Sequence, residues 1–145
     1  MQLNPQQKAI NLSQRVLLFL AGVDGLRGLF HTFFLNWAAL NIAQIDGHPD
    51  ALLLLGVFGN SNFLTAGLFL LIALKAKELS GYVLGIIPLA YALGILGIRL
   101  NGVSMQSEFS GKYMMLAYLG LCTLTFLYFL YSKQPKFRTG KADQS

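Results

Sequence analysis

Three stretches of this chain, Ala51 to Leu74, Leu79 to Ile98 and Tyr113 to Ser132, contain no Asp, Glu, Lys, Arg or His. A helix needs about 20 apolar residues to cross the hydrocarbon core of a bilayer, and each stretch meets that length. A fourth apolar segment runs from Val16 to about Ile45, broken only by Asp24, Arg27 and His31. Its blocks VLLFLAGV and FFLNWAALNIA are too apolar to leave in water. The expected fold is all-α: an integral membrane four-helix bundle running up-down-up-down. The expected spans are 16–40, 51–74, 79–100 and 113–132, with a cytoplasmic lead over 1–15 and a basic tail over 133–145.

Composition narrows the function classes. The 145 residues are 54% hydrophobic and 12% charged, with a mean hydropathy of +0.55. A soluble domain carries about 25% charge, so too few polar residues remain here to cover a soluble surface. Disordered, fibrous and nucleic-acid-binding classes fail on that ratio. The net charge of +5 is concentrated at one end, where Lys133, Lys136, Arg138 and Lys141 follow an apolar run. Such a cluster anchors a helix at the anionic cytoplasmic leaflet. A single cysteine, Cys122, excludes an internal disulfide and a C-x-x-C dithiol relay. Of the two histidines, His31 lies in an apolar run and His48 in a polar connection. That spacing suits neither a metal site nor a haem held between two facing histidines. No cofactor is named by the sequence.

The charges also orient the bundle. With both termini inside, the cytoplasmic side holds Lys8, Arg15, Lys75, Lys77 and the four basic tail residues, against Arg99 and Lys112 outside. That asymmetry follows the positive-inside rule. It also argues against small exporters and channels that insert in both orientations. Trp37 and Tyr113 fall at outer helix ends, Tyr82, Tyr128 and Tyr131 at inner ones. The run before Asp24 is short and precedes no small-x-small cleavage site, so a signal peptide is not expected.

Polar residues inside apolar runs need explaining. Asp24, Arg27 and His31 fall within an arc of about 60° on one helix face. Leu17, Leu20, Ala21, Gly28, Leu35 and Ala38 extend that face. A charge at bilayer depth costs about 2.5–3.5 kcal/mol on insertion scales, so these side chains are expected to point into the bundle, with Asp24 and Arg27 pairing across one turn. Two roles fit them: an ion pair that fixes packing, or a polar site for a proton or a small ligand's head. His31 is the titratable candidate, since imidazole titrates near pH 6.5.

The second span carries Gly59-Asn60-Ser61-Asn62 near its middle, at the level expected for Arg27. Asn60 and Asn62 are expected to join the polar cluster, with Asn60 on a stripe with Gly56, Phe63 and Gly67. Tyr91, just beyond Pro88, which is expected to kink the third helix, is a candidate headgroup contact. Gly81-x-x-x-Gly85 and Gly94-x-x-Gly97 offer close-packing faces, and Tyr118, Cys122 and Thr125 share a stripe read as structural. Asp46, His48, Asp50, Arg99 and Glu108 are expected to form an outer polar cap over the cluster.

The stretch FGNSNFLTAGLFLLIALKAKELSGYVLGIIPLAYALGILG, with the polar loop before it, resembles the DoxX-like and BphX-like bacterial membrane proteins. The resemblance implies a four-helix protein of the bacterial inner membrane, from a group with members linked to oxidative or catabolic pathways. It assigns no site residue.

Three functions follow as expectations. The first is a non-catalytic accessory or structural membrane protein whose core holds Asp24, Arg27, His31, Asn60 and Asn62. The second is a redox accessory or ligand-binding protein that takes a quinone-type amphiphile between helices, its head met by Tyr91, His31 and Asn60. The third is a small transporter or channel, which needs a continuous polar path. The expected surroundings are the lipid bilayer, and a membrane-protein partner or a second copy, with no nucleic acid.

Overall fold

Asn4 and Pro5 start the first helix well before the apolar run does. The Asn4 side chain accepts from the backbone N–H of Gln6 at 3.3 Å, and Pro5 occupies the first helical position, a pairing that costs the helix no internal hydrogen bond. The structure is a computed structural model that describes residues 4–45, 47–102 and 111–133. In it α1 runs over Pro5–Phe33. Residues 5–15, expected as a lead, are therefore helical. Hydropathy does not mark them because few of them are buried: Ala9, Ile10 and Ser13, the first two against Phe129.

The first apolar segment also does not continue to residue 40 as one helix. Phe34 leaves helical geometry at φ −121° and ψ 45°, and a short α2, Leu35–Ala38, leads into a π-helical turn over Ala39–Ala43. Gln44 ends that turn in the left-handed region at φ 52°. Apolarity carries no record of such breaks.

Three further long helices follow. They are α3, Pro49–Lys75; α4, Ser80–Leu100, entered through a 3₁₀ turn at Lys77–Leu79; and α5, Gly111–Lys133. His48 caps α3, its Nδ1 accepting from Asp50 N–H at 3.3 Å, with Pro49 at the first position. All four long helices are long and apolar enough to cross a membrane.

α1 is the hub, touching α3, α4 and α5. Its buried Leu17, Leu20 and Ala21 meet Phe69 and Ala73 of α3, Leu84 of α4, and Tyr118 and Cys122 of α5. Gln14 donates to the carbonyl of Ala73 at 2.8 Å, satisfying an end-of-helix acceptor on α3. Small residues set the close approaches. A Cβ at Gly28 would lie 2.8 Å from the Phe63 ring, and one at Gly59 would be 2.9 Å from the His31 carbonyl carbon. Gly81 and Gly85 face Phe129 and Phe126 of α5, as a packing face should. Gly94 and Gly97 do not: nothing described lies within 4 Å of a Cβ there, because the second half of α4 is largely exposed. The outward surfaces are apolar, with Leu54, Leu64, Leu93 and Leu124 exposed.

Candidate functional site

The last three turns of α1 bring the polar residues together. Asp24 and His31 are buried, and Arg27 is partly so. Arg27 Nη1 meets Asp24 Oδ1 at 3.4 Å, the intrahelical pair expected from their spacing. The other carboxylate oxygen, Oδ2, accepts the Tyr118 hydroxyl at 2.9 Å. That link joins α1 to α5. Arg27 is incompletely satisfied, since its Nε is buried with no hydrogen-bond partner among the described residues. Its guanidinium carbon lies 5.4 Å from the centre of the Phe58 ring, within range of a cation–π attraction. The same ring lies 5.5 Å from the His31 imidazole.

From α3, Asn62 reaches the cluster and Asn60 does not. Asn62 is buried, its Nδ2 3.4 Å from His31 Nδ1. Asn60 is exposed, which corrects its expected place in the buried network. The inward face of α3 is the one carrying Leu55, Gly59, Asn62, Phe69 and Ala73. At 100° per residue, Asn60 points well away from that face. Ser61 is turned outward and bonds its own helix, donating to the Val57 carbonyl at 3.2 Å.

Arg27, His31, Phe58 and Tyr118 border a cavity of about 360 Å³. Its polar wall consists of Arg27, His31, Tyr91 and Tyr118, contributed by three helices. Leu55 and Phe58 of α3 and Met114 and Met115 of α5 supply apolar wall. The π-helical turn covers one side through Ile42 and Ala43. The break at Phe34 makes this possible, because it lets the chain turn across the bundle instead of continuing along α1. Tyr91 reaches the cavity from α4. Tyr118, assigned a packing role, is the residue sequence reasoning missed. Its signal was a polar stripe, Tyr118, Cys122 and Thr125, and all three are buried.

The outer cap is not assembled among the described residues. Asp46 and Glu108 lie outside them. His48 and Asp50 pair only with each other, at 3.6 Å in the exposed first turn of α3. Arg99 is exposed near the end of α4 and meets no described carboxylate. His48 and Asp50 serve the start of their own helix. No group of three or more His, Cys, Asp or Glu among the described residues is placed to hold a metal.

At the opposite end of α5, Lys133 donates to the Tyr82 hydroxyl at 2.7 Å and lies over the rings of Tyr82 and Phe129. No family model, curated protein or solved structure matches the chain.

Proposed function

We propose that the chain is a multi-pass protein of the bacterial inner membrane, an up-down-up-down bundle with both termini cytoplasmic. In this reading it is a non-catalytic accessory protein that holds an amphiphile between its helices. The exposed leucines support the bilayer setting, since soluble monomers rarely expose continuous apolar surface on this scale. The basic residues support the orientation. Kinship with DoxX-like and BphX-like proteins belongs to the same proposal and rests on the sequence pattern alone.

One observation carries the ligand-binding part: the 360 Å³ cavity has an apolar wall and four polar groups gathered along it. Small-molecule sites have that composition, and volumes of roughly 300–1,000 Å³. A quinone-type molecule fits the chemistry, its ring among Phe58, Met114 and Met115 and its head near Arg27, His31 and Tyr91. A transporter would need polar groups along the whole bundle, whereas these gather at one level.

The test is native extraction. Protein isolated in lipid nanodiscs is expected to carry one small amphiphile, detected by mass spectrometry. Ala43→Phe, which fills the cavity, is expected to lose it while keeping helix content. An equal yield of that molecule from the filled variant counts against the site.

A further inference from the structure

The polar wall of the cavity offers hydrogen-bond donors far more than acceptors. Arg27 has five N–H donors; among the described residues its Nη1 meets Asp24 and its buried Nε meets no partner. Asp24, the strong acceptor, does not line the cavity, and both its oxygens are occupied, by Tyr118 and Arg27. His31 becomes a donor through its neighbour. The Asn62 amide nitrogen sits 3.4 Å from His31 Nδ1, and an amide NH₂ can only donate. With the amide in that orientation Nδ1 accepts, and a neutral ring then carries its proton on Nε2. The phenol oxygens of Tyr91 and Tyr118 are the oxygen acceptors that side chains bring to the described wall. The charges of Asp24 and Arg27 cancel, so an anionic head would add an uncompensated buried charge. A neutral carbonyl would not.

We propose that the cavity selects a neutral carbonyl head over an alcohol or an acid of the same shape. Asn62 is the positioning residue that sets this preference, by holding His31 as the Nε2–H tautomer. The inference rests on the cavity being an amphiphile site, and its test separates the two.

The first measurement needs no ligand. In the full chain labelled with ¹⁵N-histidine in nanodiscs, only two histidines are present, and a His48→Gln variant identifies the His31 signals. The wild type is expected to show a neutral ring protonated at Nε2. Asn62→Asp, which presents an acceptor, is expected to move the proton to Nδ1. Asn62→Leu, should the acidic variant not fold, is expected to give both tautomers. A purely structural role for Asn62 would leave the ring shifts in place. The second measurement compares decanophenone, 1-phenyldecan-1-ol and 2-phenylundecanoic acid as probes. The ketone is expected to bind about tenfold more tightly than either, and Asn62→Asp is expected to abolish that ratio. An Nδ1–H ring in the wild type overturns the proposal. So does equal binding of the three heads, which leaves the cavity as a site. Failure of all three probes to bind overturns the site reading and this proposal together.

Discussion

The Tyr118 hydroxyl donates to Oδ2 of Asp24 at 2.9 Å, tying α5 to α1 across 94 positions of sequence. Phenylalanine at 118 keeps the ring and leaves a buried carboxylate oxygen without its partner. Tyr118→Phe is expected to cost about 0.6–2 kcal/mol, the range for interhelical hydrogen bonds in apolar surroundings. A double-mutant cycle with Asp24→Ala, read by unfolding in detergent, measures the coupling of the pair. A coupling energy of zero would remove this bond from the account of the bundle.

Gly59→Ala is expected to destabilise by about 1–3 kcal/mol, the usual cost of overpacking. Its added methyl meets the backbone of His31 and the hydroxyl of Thr32, so it also displaces the site. Gly67→Ala and Gly94→Ala face open space and are expected to be neutral or to gain up to about 1 kcal/mol from helix propensity. Thermal unfolding of the three variants side by side checks the contrast.

Phe129 is 1% exposed, with Gly81 seated against its ring. Phe129→Ala is expected to cost about 3–5 kcal/mol. Tyr131→Ala, two positions on and outward-facing, is expected to change stability by no more than about 0.5 kcal/mol. Equal effects would mean that α5 is rotated from the orientation described.

Orientation is open to impermeant-maleimide labelling of intact cells in a Cys122→Ser background. A cysteine replacing exposed His48 is expected to react from outside, and cysteines replacing Asn4 or Lys133 are expected to react only after lysis. The reverse pattern would invert the proposed topology.

Much of the architecture was legible in the sequence because burial and periodicity leave strong marks. The inward face of α1 was readable from spacing, and Leu17, Leu20, Ala21, Asp24, Gly28 and His31 are all buried. The uninterrupted apolar runs mark where α3, α4 and α5 lie, and each helix extends past its run to take in a charged residue. The rotation of α3 was harder. Hydropathy does not decide between Asn60 and Asn62 when both flank one serine, and the choice falls to Gly59, whose lack of a side chain lets His31 and Thr32 approach. Tyr118 was hidden for a related reason. A tyrosine in an apolar run reads as packing until a carboxylate on another helix is known to face it. The turn at Phe34, which gives the cavity its cover, leaves no apolar signature.

The length of α1 has one more consequence in the bilayer setting. Its 29 residues span about 44 Å, against a hydrocarbon core of about 30 Å. Because the helix stops at Phe33, the surplus falls at its beginning, where Lys8 and Arg15 are exposed and Gln14 grips the end of α3. Those first turns would stand as a post among the lipid phosphates. Membranes of different thickness would then alter the tilt of this post, and with it the angle at which Arg27 and His31 face their neighbours.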